Sequence, residues 1–181
     1  MKVTMRKVVA LVLMLSLVFS IAGGSQMKTG ALSDPAYNLD AGDTPPDFCV
    51  ELVGGETFTL SEQQGKVVVL NFWASWCGPC VGEMPAFESL KMIYGDRISI
   101  CAINVGEAKD TVRSFKKDNM YTFPIAFDPS EEVCNLYPFT GIPYTVIIDK
   151  DGKVSKIFTG ARDATTQCKI YMGAIDAVIN N

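Results

Sequence analysis

Residues 66–80, KVVVLNFWASWCGPC, decide how this chain is read. Val67 to Phe72 form a near-continuous apolar, β-branched run. Such a run suits a strand buried on both faces of a sheet. A short link, Trp73 to Trp76, leads to Cys77, Gly78, Pro79 and Cys80, and a helical pattern follows. A cysteine at a helix N-terminus meets unpaired backbone N–H groups and the positive end of the helix dipole. Both favour the thiolate, so the thiol is expected to fall from about 8.5 into the range of about 3.5 to 7.5. The second cysteine, three positions on, lies about one turn away on the same face, close enough to close a disulfide.

Composition narrows the options. The 181 residues allow one domain of ordinary size once a leader is set aside. A hydrophobic content of 48% supports a real core, so disulfides are not needed to replace one. Residues 1–24 hold Lys2, Arg6 and Lys7 and no acid; the rest has 13 basic against 20 acidic residues, a net charge of −7. An acidic domain argues against nucleic acid as a partner. The chain has no histidine. That removes the commonest metal ligand and general base, and with them zinc hydrolases and cysteine–histidine proteases.

In chain order, residues 1–24 read as an export signal: a basic n-region, an apolar run from Val8 to Ala22 broken by Ser16 and Ser20, then small residues. Cleavage after Ala22 or Gly24 is the favoured reading, and membrane attachment through residues 8–22 the competing one. Residues 25–44 read as a flexible linker. Phe48–Leu52 and Glu56–Leu60 alternate about Gly54-Gly55, which predicts a β-hairpin. Helices are expected at 78–94 with Pro85 inside, at 108–119, at 130–137 and at 164–179. Strands are expected at 67–72, 97–105, 123–127, 144–149 and 153–158. This pattern predicts an α/β fold over 45–181, a mixed central sheet with helices on both faces.

Zinc takes four ligands, usually two cysteine pairs or cysteine with histidine. Here the remaining cysteines are scattered, so Cys77 and Cys80 read as a redox pair that needs no bound cofactor or metal. The segment FWASWCGPC resembles the active site of the thioredoxin superfamily. The apolar leader, the P-D-F at 46–48, Glu83-Met84-Pro85, the additional helix–strand of 108–127, and Gly141-Ile142-Pro143-x-Thr145 followed by VIIDKDGKV are together similar to the exported TlpA/ResA-like thiol–disulfide oxidoreductases. The resemblance covers about residues 45–181 and implies a thioredoxin-like fold.

The resemblance also implies roles. Cys77 would be the exposed nucleophile and Cys80 the resolving thiol. Gly78-Pro79 is the dipeptide of thioredoxin itself, which leans the reading to a reductase. A cis peptide between Ile142 and Pro143 would turn the Ile142 backbone toward an incoming peptide. Trp76 would cover the dithiol and help dock the client, while Trp73 packs. Thioredoxin's buried strand aspartate is replaced here by Asn71, which cannot titrate. Glu83, three residues after Cys80, is then expected to handle the Cys80 proton; the alternative is a surface acid near a helix start. Cys49, Cys101, Cys134 and Cys168 are expected to be buried small hydrophobes, with a Cys49–Cys168 disulfide as the alternative. Implied partners are disulfide-containing client proteins and a CcdA-like membrane thiol carrier as electron donor. The clients implied are apocytochrome c, cell-envelope enzymes or a partner reductase. A peroxiredoxin-type peroxidase, a copper chaperone and a non-catalytic docking domain on the same fold are the rivals.

Overall fold

The computed structural model describes residues 38–180, so the expected leader and residues 25–37 of the expected linker lie outside the described residues. The chain runs β1 (Cys49–Glu51), β2 (Thr57–Thr59), β3 (Val67–Trp73), α1 (Gly78–Tyr94), β4 (Ile98–Val105), α2 (Lys109–Asp118), β5 (Ile125–Asp128), β6 (Tyr144–Ile148), β7 (Val154–Thr159) and α3 (Ala164–Ile179). All seven side chains of β3 are buried. A strand can be apolar on both faces only where both faces are covered, and β3 accordingly takes the middle of a five-stranded sheet, in the order β5-β4-β3-β6-β7. The strands β3, β4 and β5 are parallel, β6 runs antiparallel to β3, and β7 antiparallel to β6. The register sets Asn71 beside Ala102 on one side and Thr145 on the other.

The alternation of β3 divides the core. Val67, Val69 and Trp73 face a cluster completed by Met84, Phe87 and Leu90 of α1, Val112 of α2, and Tyr171 and Ile175 of α3. Val68, Leu70 and Phe72 face the other cluster, which includes Phe48, Val50, Phe58 and Tyr137. All three helices therefore lie on one face rather than on both as expected, because the hairpin β1–β2 and the 133–144 segment cover the second. The helix expected at 130–137 is reduced to a 3-10 turn at Cys134–Leu136. The Asp128 carboxylate takes the Val133 and Cys134 N–H groups, at 3.1 and 2.9 Å, and Glu131 adopts φ 58°, which a helix does not tolerate. The hairpin forms as expected, in register Val50–Phe58.

The packed domain begins earlier than residue 45. Leu39 is buried, and Gly42 and Asp43 exchange backbone hydrogen bonds with Val154 at 2.8 and 2.9 Å. Asp40 and Asp43 close a turn around Gly42, whose φ of 95° suits glycine. Residues 38–44 are thus an ordered strap on β7 rather than linker.

Candidate active site

Cys77 caps α1. The strand β3 ends at Trp73, the chain turns through Ala74, Ser75 and Trp76, and the Cys77 sulfur accepts the Cys80 N–H at 3.3 Å as the helix begins. The proline of the first turn, Pro79, needs no N–H there. Cys77 and Cys80 form a disulfide with Cα atoms 5.2 Å apart. Cys77 retains 6% exposure and Cys80 none, so of the pair only the first residue meets solvent. Facing it, the Ile142 carbonyl oxygen lies 3.7 Å from the Cys77 sulfur, and the Ile142–Pro143 peptide is cis. The Pro143 carbonyl accepts the Gly160 N–H at 2.8 Å, which ties this loop to the end of β7.

Trp76 does not fold down over the sulfurs. It is 71% exposed beside a buried dithiol and stands out as an apolar projection at the site's rim. Trp73 is fully buried, its Nε1 donating to the Ala102 carbonyl at 3.4 Å.

Glu83 is fully buried, so it is not a surface acid. Its Oε1 accepts from Asn71 Nδ2 at 3.0 Å and its Oε2 from the Tyr171 hydroxyl at 2.7 Å. Asn71 Nδ2 also donates to Thr145 Oγ1 at 2.9 Å, and Thr145 Oγ1 lies 2.9 Å from the Tyr171 hydroxyl oxygen. Burial pushes the Glu83 carboxyl up from 4.5 to about 7, with the Tyr171 and Asn71 hydrogen bonds pulling the other way. Burial and the neighbouring Glu83 charge push the Tyr171 hydroxyl far above its usual range. Sequence reasoning missed Tyr171 and a polar role for Thr145. The signal available was the polar pair Gln167 and Tyr171, four residues apart on the otherwise apolar buried face of α3.

Glu107 was also missed. It follows β4 and grips the loop before Cys77: Oε2 accepts the Ser75 N–H at 2.7 Å and Asn104 Nδ2 at 2.6 Å, and Oε1 accepts the Ser75 hydroxyl at 2.5 Å. Burial opposes its charge, but the hydrogen bonds from Asn104 and Ser75 hold its carboxyl below the usual range. This clamp fixes the loop from which Trp76 projects.

The other cysteines are free. Cys101 and Cys134 are buried as expected, and burial drives both thiols upward. Cys49 is exposed and Cys168 half-buried, so neither the staple nor the expected burial holds for that pair: Cys49 sits on the outward side of a short two-stranded hairpin. Among the described residues no three cysteine or carboxylate side chains converge to hold a metal ion, and no helix is long and apolar enough to cross a membrane.

The AhpC/TSA family model matches residues 41–157. This chain belongs to that family. Its relatives include "Thiol-disulfide oxidoreductase ResA" of Geobacillus thermodenitrificans, 38% identical over 160 residues and 88% of each chain. The ResA of Bacillus subtilis is 36% identical over 124 residues, 68% of this chain and 69% of that one. Among solved structures, a putative thiol:disulfide interchange protein DsbE from Chlorobium tepidum superposes with a TM-score of 0.72 at 33% identity, covering 78% of this chain and 99% of that one. The fold is thioredoxin-like, and with its Cys77–Cys80 pair the chain is a thiol–disulfide oxidoreductase of the ResA kind, working by dithiol–disulfide exchange.

Proposed function

We propose that this oxidoreductase reduces protein disulfides outside the cytoplasm, with Cys77 attacking and Cys80 resolving. The observation that carries the assignment of roles is the asymmetry of the pair: Cys77 caps α1 and keeps some exposure, while Cys80 is fully buried behind it. The Cys77 thiolate attacks a client disulfide; a Cys77–client bond forms and one client thiolate leaves. Cys80 then gives up its proton, attacks the Cys77 sulfur and displaces the second client thiolate. The client gains two electrons, the enzyme ends as the Cys77–Cys80 disulfide, and solvent protonates the client thiolates.

Docking follows from the surroundings. The Ile142 backbone faces Cys77 at 3.7 Å, and Trp76, Gly78 and Pro79 border the same sulfur. An extended client segment would lie along Ile142–Pro143 with Trp76 against its flank. Glu83, poised at about 7, is suited to exchange a proton with Cys80 at neutral pH. The leader-like residues 1–24 support export or a membrane anchor, which separates the enzyme from cytoplasmic reductants. A membrane thiol carrier of the CcdA-like kind is then the electron donor.

Two assays test this reading. The wild type should speed insulin reduction by dithiothreitol, and Cys77→Ser should abolish the effect. Cys80→Ser should hold client proteins as disulfides on Cys77. Peroxide consumption without a protein thiol partner, or clients held on Cys80, would overturn it.

A further inference from the structure

Glu83 is not merely buried; it closes a ring. Asn71 of β3, Thr145 of β6 and Tyr171 of α3 link to it in a loop of four hydrogen bonds of 2.7 to 3.0 Å, and all four residues are at most 1% exposed. The hydrogens can be counted. Asn71 Nδ2 supplies two, one to Glu83 Oε1 and one to Thr145 Oγ1. With Glu83 ionised, the Tyr171 hydroxyl donates to Glu83 Oε2 and the Thr145 hydroxyl is then the donor to Tyr171. An ionised carboxyl accepts the Asn71 and Tyr171 hydrogen bonds at once, one on each oxygen. A proton added to Glu83 Oε2 would have to displace the hydrogen that Tyr171 donates there, turning the Tyr171 hydroxyl to accept instead. On its own helix the group one turn away on the same face is Cys80.

We propose that Tyr171 is the positioning residue that keeps Glu83 ionised and aimed to receive the Cys80 proton, with Thr145 fixing the direction of the Tyr171 hydroxyl. The inference rests on the reading of Glu83 as the proton acceptor in resolution. The step is a transfer from the Cys80 thiol to the Glu83 carboxylate, which accompanies formation of the Cys80–Cys77 bond and cleavage of the Cys77–client bond. The terminal helix α3 thereby acts in the chemistry without approaching the client. The groups bonded to the carboxyl are Asn71 from β3 and Tyr171 from α3, with Thr145 of β6 linking those two and Cys80 one helical turn away on α1. Only Tyr171 and the cysteine titrate, and Glu83 has no ion pair among the described residues. The ionised form is therefore held by neutral donors, of which Tyr171 makes the shortest contact.

The test separates the two claims. The full-length chain carrying Cys49→Ser and Cys168→Ser is reduced and mixed with a symmetrical nitrothiobenzoate disulfide, whose two coloured thiolates leave in two phases, attack and then resolution. The second phase is followed against pH for wild type, Glu83→Gln, Tyr171→Phe and Thr145→Val, and the Glu83 carboxyl is titrated in each disulfide form by its infrared band. Tyr171→Phe should move both midpoints up by about 1 to 2 pH units, the usual worth of a hydrogen bond to a charged group. Resolution at pH 7 should then slow roughly tenfold and approach the wild-type rate at high pH. Thr145→Val, which leaves Tyr171 in place, should give a smaller shift in the same direction. Midpoints unmoved in both variants, or a loss of rate equal at every pH, would overturn the inference about Tyr171. A wild-type pH profile in Glu83→Gln would instead overturn the reading of Glu83 on which it rests.

Discussion

Glu83→Gln should make the oxidised protein more stable than the wild type at pH 8. The carboxyl is raised from 4.5 to about 7 in the folded state, first by burial. Between those values the native state binds more protons than the unfolded chain, so stability is full below the unfolded value and falls as pH rises through the folded one. At about 1.4 kcal/mol per unit, the burden of the buried charge above pH 7 is about 3 kcal/mol. Glutamine keeps the shape and cannot ionise. It does present an amide hydrogen to one of the two donors of the ring, Asn71 or Tyr171. Turning the Tyr171 hydroxyl to accept it costs about 1 kcal/mol for the displaced hydrogen bond. The net gain at pH 8 is therefore about 2 kcal/mol, shrinking to nothing or reversing near pH 4. Urea unfolding of both oxidised proteins at pH 4, 6 and 8 measures it. A variant less stable than wild type at pH 8, or a difference that does not change with pH, would refute the reasoning.

Other consequences are as direct. Trp73→Ala, which empties a fully buried site, should cost about 3 to 5 kcal/mol in urea unfolding. Trp76→Ala should cost less than about 0.5 kcal/mol yet sharply reduce the yield of trapped client. Glu107→Gln should destabilise at neutral pH, where the ionised carboxyl anchors Ser75 and Asn104, with the penalty fading as acid protonates the wild-type group; thermal melts at pH 3 and pH 7 give the comparison. In the native oxidised protein Cys49 should react with a maleimide within minutes, while Cys101 and Cys134 stay unlabelled until denaturant is added; mass spectrometry of digests identifies the sites.

The central strand, the dithiol helix and the mixed sheet were legible because each rests on local pattern. The run at 67–72 has one reading as a strand, which the structure extends by Trp73, and CGPC follows after a short link. The hairpin and α3 were legible for the same reason. What failed was decided by contacts distant in sequence or by single side chains. The segment at 130–137 carries helix-start residues, but the Asp128 carboxylate takes the N–H groups a helix would have used. Residues 38–44 read as linker by composition, yet Val154 supplies a backbone partner more than a hundred residues away. Glu83 was legible by its spacing from Cys80; its ring was not, because Thr145 and Tyr171 reach it across 74 residues from Asn71 and 88 from Glu83. The Glu107 clamp was hidden likewise, 32 residues from Ser75.

The account stands on one sulfur, that of Cys77 at the head of α1. The most direct measurement is the thiolate absorbance of the reduced chain against pH, with Cys77→Ser and Cys80→Ser to assign the steps. A Cys77 midpoint below about 7.5, lost in Cys77→Ser and kept in Cys80→Ser, is the expected result. A midpoint near the ordinary value of about 8.5, or an acidic step that survives in Cys77→Ser, would contradict the account.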